Sequence, residues 1–138
     1  MDIRRATIDD VSGLMRLYHV LSTRYQDDVS AVRLAIRHPT TFVYVAVDGE
    51  RVAGTATLSL RAVPSRGLVG YIDDVVVDPT CRGQNLGQRL TQYCLNQAMT
   101  AECVRVELTS APERQAANHL YQKMGFSLKQ TNCYVMDL

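Results

Sequence analysis

Apolar positions along this chain change period several times, and each change marks an element. Asp2–Ala6 is short and reads as a first strand. Thr7 opens Thr-Ile-Asp-Asp, with an acid three positions on, a cap-like start for a helix carrying Val11, Leu14, Met15, Tyr18 and Leu21. A second helix is expected over about Asp28–Arg37, stopped before Pro39. Phe42–Val47, the turn Asp48-Gly49 and Arg51–Leu60 then predict a β-hairpin, because Asp-Gly supplies the positive φ that a tight turn requires. Leu68–Val77 is rich in β-branched residues and stops at Asp78-Pro79, the pattern of a buried strand. Helical spacing returns with Leu86, Leu90, Tyr93, Cys94 and Met99. Val104, Val106 and Leu108 alternate with Arg105, Glu107 and Thr109, which describes a strand buried on one face. Ser110 with Glu113 as a capping box, Pro112 in the first turn and Gly125 as a left-handed cap delimit a last helix. Phe126–Leu138 would supply one or two final strands.

Strands flanked by a few helices imply an α/β layer arrangement. No repeat, low-complexity tract or Pro/Gly/Ser-rich linker divides the chain, so residues 1–138 read as one domain, a size that can bury its own core. Fifteen Lys+Arg against fourteen Asp+Glu give a net charge of +1, which argues against nucleic acid or an anionic membrane as the main partner. Cys81, Cys94, Cys103 and Cys133 show neither CxxC spacing nor a dense framework, and fit reduced thiols better than disulfides or zinc. His19, His38 and His119 have no metal-ligand spacing, so no metal is expected. The first ten residues lack a long apolar stretch, and no later run approaches the ~20 residues of a membrane span. A soluble, cytoplasmic protein is the expectation.

The loop between the buried strand and the next helix carries the first chemical signal. In Arg82-Gly83-Gln84-Asn85-Leu86-Gly87 two glycines sit where a helix starts, so unpaired N–H groups and the helix dipole would face a ligand. Such a site suits a phosphate, with Arg82 and Arg89 available for charge-assisted hydrogen bonds. The bland alternative is that Gly83 serves only the turn and Gly87 only close helix packing. There is no Gly-Lys-Ser/Thr and no G-x-G-x-x-G, which steers away from kinases and dehydrogenases.

These residues resemble the GNAT superfamily of acetyltransferases, whose pyrophosphate loop reads Arg/Gln-x-x-Gly-x-Gly/Ala after a strand. Arg82 and Gly87 match its first and last positions, while Asn85 stands in place of the middle glycine and tolerates a left-handed backbone better than most residues. Downstream, Ala116-Ala117-Asn118-His119-Leu120-Tyr121-Gln122-Lys123-Met124-Gly125-Phe126 is similar to the family's next block, a helix bearing Asn and Tyr that ends in Gly-Phe. Tyr71–Val77 resembles its central strand. The resemblance implies a central twisted sheet, mixed but mostly antiparallel, of six to seven strands with about four helices on its two faces. It also implies acetyl-CoA as acetyl donor, bound by Arg82, Gly83, Gln84, Asn85, Leu86, Gly87 and Gln88, by the free backbone of Val75 and Val77 where the central strand parts from its neighbour, and by Asn118 and Tyr121.

Transfer to an amine needs a neutral amine, oxyanion stabilisation and a proton donor for the leaving thiolate. Tyr121 would be that donor by resemblance, through its Tyr-x-x-x-Gly-Phe context; spacing alone favours a core tyrosine with a satisfied hydroxyl. Asp73 and Asp74 stand side by side in an apolar strand, costly unless something pairs with them. Strand alternation places Asp73 on the face of Val75 and Val77, which makes it the first candidate for a base and Asp74 the second. A carboxylate there would equally well bind a cationic substrate. Tyr18, Tyr25 and the Leu60–Leu68 loop would border the acceptor pocket, with Arg61 and Arg66 either receiving an anionic group or simply solvated. The expected acceptor is a primary amine of a small molecule (amino acid, amino sugar or polyamine-like), with a protein N-terminus or lysine left open as an alternative. A further alternative is a non-catalytic acyl-CoA-binding module. Pairing across an exposed final strand could join two copies as a homodimer.

Overall fold

The computed structural model describes residues 1–138. Its centre is the hairpin of β2 (Thr41–Asp48) and β3 (Arg51–Val63), turned at Gly49, which takes φ of 62°. β4 (Gly67–Val77) pairs antiparallel with β3, β1 (Asp2–Arg5) closes one side against β2, and β5 (Arg105–Leu108) lies parallel to β4 on the other. The order is therefore β1-β2-β3-β4-β5, a mixed, mostly antiparallel sheet. The segment expected as a Leu60–Leu68 loop is instead strand: pairing runs on to Val63 opposite Gly67, because Pro64 and Gly67 (φ 110°) permit a tight turn there.

Alternation in β2 and β3 splits the core in two. Tyr44, Ala46, Ala56 and Leu58 pack with Ile72 beneath α3 (Leu86–Thr100), through Leu86, Leu90, Cys94 and Ala98. On the opposite face Val43, Val45, Val52 and Val76 pack with Val11, Leu14 and Leu17 of α1 (Val11–Leu21) and Val32 of α2 (Val29–Arg37). α1 is approached through a 3₁₀ turn at Ile8–Asp10, where the Asp10 carboxylate accepts the Thr7 N–H at 2.7 Å and pairs with Arg4. All four cysteines are free, and burial pushes the Cys94 thiol up to about 12. Met99, expected in the core, is 65% exposed because α3 turns that position to its outer edge.

The sheet has five strands, not six or seven. Phe126–Leu138 forms none, although its residues alternate well enough to predict one. Lys129 reaches Glu107 of β5, the chain turns at once with the Thr131 N–H on the Lys129 carbonyl, and no backbone bond joins residues 132–138 to β5. A strand pattern specifies the capacity to pair; a strand forms only where an edge is met. No helix is long and apolar enough to cross a membrane.

Candidate active site

β4 ends at Asp78, whose N–H bonds the Ala53 carbonyl at 2.8 Å and whose carboxylate caps the 3₁₀ turn Pro79–Cys81 through the N–H and hydroxyl of Thr80. Arg16 and Arg51 both pair with the same buried carboxylate. Thr80, with Arg51 and Arg16 added, holds Asp78 far below the usual aspartate range despite its burial. This clamp fixes where the next loop leaves the sheet.

In the loop Gly83 takes φ of 85°, and Asn85 adopts the left-handed conformation (φ 57°, ψ 25°) as the residue before α3. Asn thus does the conformational work of a middle glycine at this position. No backbone acceptor in the chain takes an N–H from Gly83 through Gln88, so a run of donors is left at the N-terminal end of a helix, with the dipole behind it. Gly87 is not demanded by packing: a Cβ there would meet only Val77 at 3.8 Å and Leu120 at 4.0 Å, ordinary contacts. Its missing side chain leaves space against the backbone, which favours the ligand reading of the loop.

β4 and β5 part in front of these donors. Their pairing ends at Ile72 opposite Leu108, while β4 continues to Val77. Because the Asp78 N–H points to β3, alternation turns the N–H groups of Val77 and Val75 toward the side β5 has left. A cleft of about 700 Å³ results, walled by Val75, Val76 and Val77, by the loop and first turn of α3, and by α4 (Gln115–Lys123). Tyr121 faces it from α4, buried and edge-on to Phe126. Burial raises the Tyr121 hydroxyl and nearby Arg114 pulls it partly back; the net shift is upward, so the group carries its proton at neutral pH.

The carboxylates sit where β4 departs from regular pairing. Thr57 faces Asp73 and Thr55 faces Val76, so Asp74 and Val75 together oppose Ala56, and Asp74 takes φ of 54°. This β-bulge overturns the expected parity: Asp73 shares a face with Val76, not with Val75 and Val77. Thr55, Thr57 and Val76 belong to the α1 side of the sheet, away from the α3 core that receives Val75 and Val77. Asp74 is turned toward the same side, since its charge adds to burial in raising the hydroxyls of both Tyr18 and Tyr25. The tyrosine rings stand edge to face, 5.5 Å between centroids, and the buried Tyr25 hydroxyl has no hydrogen-bond partner. Neither aspartate has an ionic partner. Both pKa values are raised, Asp73 by burial and then by the charge of Asp74, Asp74 by burial.

The structure thus gathers Val75, Val77, Arg82, Gly83, Asn85, Leu86, Gly87, Gln88 and Tyr121 around one cleft. Gln84 does not line it. Asn118 does not either; its side-chain amide donates to the carbonyls of Ala111 (2.9 Å) and Pro112, holding the turn before α4. That turn replaces the expected capping box, since the Arg114 N–H bonds Ala111 and the helix starts only at Gln115, leaving the Ser110 hydroxyl buried without a partner. Arg89 is turned away, donating to the Met1 carbonyl, so it adds nothing to the anion site. Arg61 is engaged by the Tyr71 ring and by Glu107 at 3.9 Å. Sequence reading missed Arg114, Val20 and Leu21 on the cleft wall; only Arg114, a cation two turns before the tyrosine-bearing end of its helix, carried any signal. No three His, Cys, Asp or Glu side chains are gathered as a metal site would need.

The sheet is parted at one strand end, with a row of free N–H donors facing the gap. The model of the acetyltransferase (GNAT) family matches residues 11–126, and the chain belongs to that family. It is 36% identical over 78 residues to the glucosamine 6-phosphate N-acetyltransferase of Trypanosoma brucei brucei, covering 55% of this chain and 51% of that one. It is 30% identical over 90 residues to N-alpha-acetyltransferase 30 of Saccharomyces cerevisiae, covering 60% and 50%. The chain spans about half the length of these curated relatives. The crystal structure of glucosamine-6-phosphate N-acetyltransferase from Arabidopsis thaliana superposes with a TM-score of 0.82 at 22% identity, over 98% of this chain and 97% of that one, which shows a shared fold.

Proposed function

We propose that the protein transfers the acetyl group of acetyl-CoA to a primary amine of a small molecule. The observation that carries this reading is the unfilled space at Gly87 facing a run of unpaired N–H groups, beside the buried hydroxyl-bearing Tyr121. The free donors of the loop and of α3, with Arg82, suit a pyrophosphate, and the outward N–H groups of Val75 and Val77 suit the amides of a pantetheine arm. Bound there, acetyl-CoA supplies an activated acetyl thioester. Tyr121 gives its proton to the departing sulfur. Asp73 and Asp74, on the opposite side of β4 and without cationic partners, receive the ammonium of the acceptor and take its proton, directly or through water; their raised pKa values bring them closer to that task.

A small acceptor accords with the Tyr18–Tyr25 ring pair close to the charge of Asp74, and with the amino-sugar acetyltransferases among the relatives. The N-alpha-acetyltransferase similarity supports a peptide N-terminus as the second reading. A panel of amino sugars, amino-sugar phosphates, amino acids, polyamines and short peptides, assayed with acetyl-CoA by thiol release, separates the two. Thiol release with none of them, despite acetyl-CoA binding, would leave an acyl-CoA-binding module and sink the catalytic reading.

A further inference from the structure

The sheet face that carries Asp73 also carries a cluster of cations. Ile72 and Leu108 turn into the core beneath α3, so their neighbours Tyr71, Asp73 and Glu107 look out on the α1 side. Arg61 of β3 and Arg105 of β5 both pair with Val69, one step further from the gap, and share that face. α1 and α2 pack over Val43, Val45, Val52 and Val76, and Arg61, Arg66 and Arg105 stay exposed. Glu107 is bonded by Lys129 and lies 3.9 Å from Arg61. The Lys129 hydrogen bond, with the charges of Lys129, Arg105 and Arg66, holds its carboxyl below the usual glutamate range. One carboxylate thus faces four cations, and the surplus positive charge is fixed to the sheet.

This surplus lies beside the opposite surplus. Asp73 and Asp74 have no ionic partner, and Tyr71 stands between them and the cations. The Arg61 guanidinium lies 6.0 Å from the centre of the Tyr71 ring. Positions two apart on a strand are separated by about 7 Å, so Asp73 and the cation over Tyr71 are spaced to hold the two ends of one small molecule. The floor between them is continuous: β4 and β5 are paired at Tyr71–Glu107 and part only past Ile72–Leu108, level with Asp73. An ammonium at Asp73 therefore sits at the gap, while a group at Arg61 rests on closed sheet.

We propose that the acceptor is an amine carrying its own anionic group, a carboxylate or a phosphate, about 7 Å from the nitrogen, with the ammonium at Asp73 and the anion held by Arg61, supported by Arg66 and Arg105. Guanidinium forks suit either anion. The spacing disfavours α-amino acids, whose two charges are adjacent, and the cations disfavour diamines. This rests on the reading of the protein as an amine acetyltransferase and names the class of its acceptor.

The test compares matched pairs: 5-aminopentanoate against its uncharged amide, and an amino sugar phosphate against the free amino sugar, with glycine and 1,5-diaminopentane alongside. Calorimetric titration onto the CoA-loaded protein should give a Kd at least about tenfold lower for the anionic member of one pair or both, and the pair that responds identifies the anion. Glycine and the diamine should bind more weakly than that member, and the preference should shrink with added salt. Arg61→Met, which removes the charge from an exposed side chain, should bring the two members to the same Kd without moving the thermal transition, and Arg61→Lys should restore part of the difference. Arg33→Met, an exposed cation of α2 outside the cluster, should change nothing. Equal binding within both pairs, tightest binding of the diamine, or a preference that survives Arg61→Met overturns the proposal. Turnover with acetyl-CoA is measured separately: selective binding without turnover sinks the acetyltransferase reading and leaves the anion subsite, whereas turnover without selectivity does the reverse.

Discussion

At the end of β4 Asp78 is shut from water and held by Arg16, Arg51 and Thr80, and its pKa falls. A few residues earlier, at the bulge, Asp73 and Asp74 have no ionic partner and their pKa values rise. The same side chain is a clamp where donors converge on it and an adjustable proton acceptor where they are withheld. The bulge makes the second state available: with Asp74 at φ of 54°, both carboxylates reach the α1 side, away from the apolar floor beneath α3. The unpaired state costs stability, which the clamped end of the strand helps to offset.

Breaking the clamp should have the largest effect. Asp78→Ala leaves two arginines facing each other and removes the cap on Thr80, and should cost about 3 kcal/mol in chemical denaturation. Because its pKa is lowered, the contribution of Asp78 is complete above its ordinary value of 3.8 and is lost as pH falls below it. The variant should therefore lose less stability than the parent across that acid range. Tyr121→Phe should lower kcat about 100-fold, equivalent to ~2.7 kcal/mol, with an unchanged melting temperature; equal loss of activity and fold would return Tyr121 to a core role. Gly87→Glu should raise the Kd for acetyl-CoA by about tenfold or more, since it places a side chain and a negative charge against the free N–H groups. An unaltered Kd would remove the anion site.

The bulge carboxylates give the smallest and most discriminating effects. Because both pKa values are raised, kcat/KM should rise with pH through an acid limb lying above the ordinary aspartate range, as the carboxylates lose their protons. Asp74→Asn removes a charge that raises Asp73, so the remaining limb should move to lower pH while KM for the amine increases. A carboxylate whose pKa is raised by folding destabilises the fold above its ordinary value, so Asp74→Asn should melt at or slightly above the parent temperature at neutral pH. A clear fall in melting temperature would show that Asp74 is structural, like Asp78.

The frame around this contrast, though not the contrast itself, was legible in the sequence. The strand to Val77, the stop at Asp78-Pro79 and the glycine-bearing start of α3 are local signals, and local signals survive into the structure. Asn85 took the left-handed conformation for which its side chain is suited. Parity at Asp73 failed because one extra residue in a strand reverses every face after it, and no residue of Ile72–Val76 announces a bulge. Asn118 was half legible: its partners are backbone carbonyls of the turn before α4, an arrangement that depends on where the turn falls.

Most of the elements, the left-handed residue before α3 and the residue types around it were set by the chain alone, because period, turn chemistry and helix starts are encoded within a few neighbours. Tertiary contacts decided which carboxylate is paired, which face each aspartate takes, where β4 and β5 part, and that the final apolar segment meets no edge of its own sheet. Each of these outcomes joins residues distant in the chain: Asp78 reaches back to Arg16, and a strand becomes a strand only against a partner that its own pattern cannot name.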